Sequence, residues 1–158
     1  RLSLVGSEMC IRDSGLGKLE MADGSSFQGQ FVKGQPEGQG VRIDAYGNQF
    51  SGVFAQGLLS GQGSYHNADG DNYSGGFKND EFHGKGRYQS AGGETWAGEF
   101  VEGVMQGPGE YTDGEGTRYL GEFADWQYEG EGLLTLPDGS AYRGHFSGGE
   151  YSLSLIHI

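Results

Sequence analysis

The chain reads as an all-β protein, an elongated single-layer antiparallel meander of about six β-hairpin repeats of 23 residues each. Three observations predict this. An aromatic, a glycine and a phenylalanine recur in fixed phase at Phe27-Gly29-Phe31, Phe50-Gly52-Phe54, Tyr73-Gly75-Phe77, Trp96-Gly98-Phe100, Tyr119-Gly121-Phe123 and Tyr142-Gly144-Phe146. Further glycines keep the same phase, and turn-forming residues fall twice per repeat. A fixed short period implies a stack of like units, each burying its apolar face against its neighbours.

With each repeat numbered from its leading aromatic, positions 1, 3 and 5 have the period-two spacing of a strand and lie on one face. Positions 2 and 4 face the other way and are mostly small or polar, as in Gln28 and Gln30 or Arg143 and His145. A turn follows at positions 7 and 8, where Lys33-Gly34, Gln56-Gly57, Asn79-Asp80 and Glu102-Gly103 tolerate positive φ. The second strand carries glycine at position 12 (Gly38, Gly61, Gly84, Gly107, Gly130) and position 14 (Gly40, Gly63, Gly86, Gly109, Gly132). Position 16 is often aromatic or leucine, as at Tyr65, Tyr88, Tyr111 and Leu134. A second turn ends in glycine at position 21 and leads into the next aromatic.

The chain has 33 glycines and three prolines, a composition that by itself resembles a disordered linker. The phase of the glycines excludes that reading. Glycine weakens a strand, but a large ring can lie over the bare backbone of a glycine on the neighbouring strand and cover it. The aromatic stripe is therefore expected to be structural packing first and a binding platform second.

Residues 1–14 and 152–158 fall outside the register. Bases that can encode LSLIHI at the C-terminus are the reverse complement of bases that can encode the end of LVGSEMCIRDS near the N-terminus. Both strings resemble translated adapter sequence from transposase-based DNA libraries and are excluded from fold reasoning as non-native. The remaining organisation is a half repeat at 15–26 and an array at 27–151, with units starting at 27, 50, 73, 96, 119 and 142. Cys10, the only cysteine, falls in the excluded segment, so disulfide and thiol chemistry are not expected of the repeats.

Arg1 and Arg12 offset Glu8 and Asp13, so the net charge of −12 belongs wholly to the repeats. Such a surface repels phosphate backbones and anionic headgroups, which argues against nucleic acid and against membrane lipid as partners. It attracts basic partners or cations. No run approaches the roughly 20 apolar residues of a membrane-spanning helix.

Nothing in the repeats reads as catalytic. His66, His83 and His145 occupy three different repeat positions, and no nucleophile turn, HExxH or phosphate-cradling loop is present. Asp23, Asp44, Asp69, Asp71, Glu94, Asp113, Glu115 and Asp138 lie in or beside the turns between hairpins. Neighbouring turns on one edge are spaced by two strands, roughly 9.6 Å, so an acidic rim is expected without a discrete calcium site. No cofactor and no metal is expected.

The pattern Y/F-x-G-x-F/W-x-x-G-x-x-x-G-x-G at this spacing resembles the MORN (membrane occupation and recognition nexus) repeat. The resemblance covers Phe27 to Tyr151, with Gly15, Gly17, Leu19, Asp23 and Gly24 keeping the register before it. It implies an elongated antiparallel sheet acting as a non-catalytic protein–protein interaction scaffold or dimerisation module; separately, unpaired strand edges at the ends of the array are expected to self-associate. The alternative it implies is an accessory region of a larger enzyme of lipid kinase or lysine methyltransferase type. A glycan- or lipid-facing surface protein is a weaker reading.

Two residues depart from the glycine that the family prefers at position 8, Asp80 and Trp126. Asp80 is expected to pass through a tight turn after Asn79. Trp126 is expected to alter the fifth turn or project from it, which makes it the candidate partner contact, or else to fold back over its own hairpin.

Overall fold

The computed structural model describes residues 15–151 and 156–157. The segment read as adapter-derived at 1–14, with Cys10, and residues 152–155 and 158 of the C-terminal one lie outside the described residues. The chain divides into two units, residues 1–81 and 82–158. Every described element is a β-strand.

The first unit carries β1 (Gly15–Glu20), β2 (Ser26–Val32), β3 (Gln35–Ile43), β4 (Gln49–Ala55), β5 (Leu58–His66) and β6 (Asn72–Lys78). Each pairs antiparallel with the strand before it. The second carries β7 (Glu81–Gln89, starting one residue before the division), β8 (Thr95–Val101), β9 (Val104–Thr112), β10 (Arg118–Ala124), β11 (Gln127–Thr135), β12 (Ala141–Ser147) and β13 (Glu150–Tyr151). These again pair in chain order. A last bridge, β14 (Ile156–His157), lies against Tyr142 and Arg143 of β12.

The hairpin turns are two-residue loops with positive φ at both positions, which matches the right-handed twist of the strands they join. Lys33 and Gly34 have φ of +52° and +79°, and Asn79 and Asp80 have +50° and +72°. From Gly57 onward each tip is also tied to the hairpin before it. The position-8 N–H donates to the position-10 carbonyl of the preceding repeat, as in Gly57 to Pro36 (3.0 Å), Asp80 to Leu59 (3.0 Å) and Trp126 to Met105 (3.2 Å).

The second turns are three-residue loops closed by a type I turn and a glycine bulge. Gly47, at φ +89°, donates to the Asp44 carbonyl (3.1 Å), and Asp44 N–H donates to Asn48 (2.9 Å). The Asp44 Oδ1 atom also accepts from Tyr46 N–H (2.9 Å) and Asn48 N–H (3.0 Å), and Asp113 does the same for Glu115 and Thr117. Carboxylates read as a solvated rim are here parts of turns.

A regular feature of the second strand was not foreseen. Gly29 pairs with Gly40 but Phe31 pairs with Pro36, so the register shifts within the hairpin. The shift recurs in β4–β5, β8–β9 and β10–β11. Position-12 glycine sits in each of these bulges, Gly38 at φ +88° and Gly61 at +82°, a conformation costly to other residues. The bulge brings position 10 opposite position 5, and this adds Leu59 and Met105, both fully buried, to the core.

Position-5 phenylalanines Phe31, Phe54, Phe77, Phe100, Phe123 and Phe146 are all buried. The leading aromatics are not equivalent. Phe27, Tyr73 and Tyr119 are buried, whereas Phe50, Trp96 and Tyr142 are half-exposed. The Phe27 ring meets the edges of both Phe31 (5.2 Å) and Phe54 (4.9 Å), and Tyr119 does likewise with Phe123 (5.2 Å) and Phe146 (5.0 Å). With Phe54 covered from that side, Phe50 turns to Tyr65 on the neighbouring strand (5.1 Å). Packing thus alternates over two repeats.

Rings do lie over glycines. A Cβ added at Gly40 would fall inside the Phe27 ring, and one at Gly132 inside the Tyr119 ring. The opposite face is wet, with Gln28, Gln30, Glu122, Arg143 and His145 exposed.

Candidate functional site

The two position-8 departures occupy equivalent places in the two units. In the first, the Asp80 carboxylate caps Leu59 N–H (2.7 Å) and pairs with the Arg42 guanidinium (3.0 Å). Arg42 donates to the Gly57 carbonyl (3.1 Å) and lies 4.6 Å from the Phe50 ring centroid and 5.4 Å from that of Phe54. In the second unit the same positions hold Tyr88, Trp96, Phe100 and Trp126. The Trp126 ring is edge-on to Tyr88 (5.4 Å), Trp96 (5.8 Å) and Phe100 (5.5 Å).

Trp126 neither alters its turn nor folds back over its own hairpin. Its turn is unaltered, with Asp125 and Trp126 at φ +54° and +69°, the values of the other hairpin turns. The ring is half-exposed and packs on strands of the two preceding repeats, not on its own hairpin. The bond from Trp126 N–H to Met105 leans the tip backwards and sets this direction.

Beyond Trp126 the aromatic face opens into a hollow of about 210 Å³ lined by Trp96, Tyr111, Trp126, Gln127, Tyr128 and Gly149. The cause lies in the repeat. Position 8 of the next hairpin is Gly149, which has no side chain to bring back over Tyr111 as Trp126 covers Tyr88. Trp96 and Tyr111 lie 5.1 Å apart at a tilt, and Tyr128 stacks on Tyr119 at 3.9 Å.

The hollow is edged by acid. Tyr111 donates its hydroxyl to Glu94 Oε2 (2.7 Å). Burial, that bond and the nearby charge push the Tyr111 phenol well above its usual range. Burial also pushes Tyr128 up to about 12, with Tyr119, Asp113 and Glu94 adding to the rise. These phenols stay neutral at physiological pH, and the carboxylates that act on them are Glu94 and Asp113.

The eighteen signature residues are placed as a packing framework and form no chemical constellation. Of the histidines, His66 meets Asn72 (2.6 Å) and exposed His145 lies 3.5 Å from Glu131. Among the described residues no group of three or more histidine, cysteine or acidic side chains is arranged to hold a metal. The site residues that sequence reasoning missed are Tyr128 and Gly149. Their signal was present, since position 10 is Pro36, Leu59, Phe82, Met105 and Tyr128 in successive repeats.

Antiparallel 23-residue hairpins, with rings packed along one face in each unit, define a β-hairpin repeat protein. The family model for the MORN repeat matches five consecutive repeats, at residues 27–49, 50–72, 73–95, 96–118 and 119–141, and the chain belongs to the MORN-repeat family. Repeats of this family are typically non-catalytic and generally mediate protein or membrane interactions. No curated protein matches the chain.

Proposed function

We propose that this array is a non-catalytic scaffold that docks a protein partner on the aromatic face of its second unit, with Trp126 as a contact residue. The observation that supports this is the half-exposed Trp126 ring beside a hollow walled by Trp96, Tyr111 and Tyr128. Tryptophan and tyrosine at the rim of a concavity are the side chains that most often anchor protein interfaces. The net charge of −12 works against anionic lipid as the occupant.

The test is affinity capture from the native source with the wild-type chain, Trp126→Gly and Val53→Glu, the last an exposed position of the first unit that faces away from that unit's own aromatic stripe. A partner retained by wild type and by Val53→Glu but lost with Trp126→Gly supports the reading. A partner equally retained by all three places docking elsewhere.

A further inference from the structure

We propose that the hollow at Trp96, Tyr111, Trp126 and Tyr128 receives an arginine side chain from a basic segment of a protein partner. This rests on the docking reading above and names its chemistry. The first unit shows the same face already holding a guanidinium. There Arg42 lies over the rings of Phe50 and Phe54, its charge met by Asp80 and its remaining donors partly met by the Gly57 carbonyl. In the second unit Tyr88 stands where Arg42 stands in the first, and Trp126 stands where Asp80 does. The aromatic floor is extended, and among the described residues no guanidinium is placed over it.

The vacancy has a matching shape and charge. Gly149 leaves open the volume that a position-8 side chain would take over Tyr111, and a planar guanidinium can stack between the Trp126 and Tyr111 rings that flank it. Glu94 is held at the edge by its bond to Tyr111, and Asp113 lies close enough to act on Tyr128. An anionic or purely aliphatic occupant would leave those carboxylates uncompensated. A net charge of −12 over the chain draws a basic segment to this surface and makes the encounter salt-dependent.

Trp96 and Trp126 are the only tryptophans, so indole fluorescence reports the hollow directly. The full chain is titrated with a short peptide alternating glycine and arginine, and with the same peptide carrying citrulline, which keeps the shape of arginine and removes its charge. The expected result is saturable quenching by the arginine peptide and about tenfold weaker binding of the citrulline peptide. Gly149→Trp, which fills the hollow, and Tyr111→Leu, which removes a wall, should each weaken arginine-peptide binding by a similar factor with both indoles retained. Far-ultraviolet dichroism of the two variants checks that the sheet is intact. Equal binding of the two peptides overturns the cation but leaves protein docking standing. Absence of saturable quenching by either peptide overturns the arginine site, and the capture experiment then decides docking by itself.

Discussion

Arg42 and Asp80 form an ion pair at 3.0 Å across 38 residues, and Tyr88 and Trp126 meet at 5.4 Å across the same 38. Both pairs join position 16 of one repeat to position 8 two repeats later. From the second repeat on, each hairpin tip leans back through its position-8 N–H, so any side chain at position 8 is delivered to this place. Glycine delivers nothing; aspartate and tryptophan each found a complementary partner there.

The first prediction concerns that ion pair. About a quarter of each side chain is exposed, so its strength lies between that of a surface and a buried pair. A double-mutant cycle of Arg42→Ala and Asp80→Gly, read by urea unfolding, should give a coupling of about 1 kcal/mol. A coupling near zero would mean that the two residues act independently.

The second separates strain from contact at Trp126. A bulky residue at φ +69° is strained by about 1 kcal/mol, whereas its edge contacts with three rings are worth about 0.5–1.5 kcal/mol each. Trp126→Gly relieves the strain and loses the contacts, for a net loss of about 0.5–3.5 kcal/mol. Trp126→Ala loses the contacts and keeps the strain, so its melting temperature should lie below that of Trp126→Gly.

Two kinds of glycine should respond differently to alanine. At Gly132 a Cβ would overlap the Tyr119 ring, and Gly132→Ala should cost about 3 kcal/mol as that buried ring is displaced. Gly84 has open space around it and φ of +80°, so Gly84→Ala should cost only about 1 kcal/mol of backbone strain. Chemical denaturation of the two variants makes the comparison.

The phenols predict the alkaline limit of stability. Burial pushes Tyr119 and Tyr128 up to about 12. A raised folded value means that the folded state holds the proton more tightly. The stabilisation is complete below the unfolded value of about 10 and is lost as pH rises through the folded value. Phenolate absorbance should show a late ionising class that merges with the rest once the sheet is unfolded.

On the acid side, backbone hydrogen bonds, that from Thr117 first, hold Asp113 below its ordinary value. Its contribution is present above the unfolded value of about 4 and is lost as pH falls through the lower folded one. Asn67, which stands at the same repeat position two repeats earlier, accepts from Asp69 and Asp71 N–H through its own Oδ1. Asp113→Asn should therefore keep the turn and flatten the acid limb of the stability profile, as read by dichroism against pH.

The fold was legible because a 23-residue period repeats backbone requirements as well as side chains. Lys33-Gly34 and Asn79-Asp80 state their turn type locally, and aromatic-x-glycine-x-phenylalanine states which face is buried. Those are interactions between residues within one hairpin, and the sequence by itself determined them. The backward lean of the tips from Gly57 onward depends on hydrogen bonds to the preceding hairpin, which no single repeat encodes. The alternation of buried Phe27 with half-exposed Phe50 has the same origin, because two neighbouring rings cannot fill one gap. Only the tertiary structure decided where Trp126 points and that Gly149 leaves Tyr111 uncovered, since both follow from which side chain of one repeat reaches the space left by another.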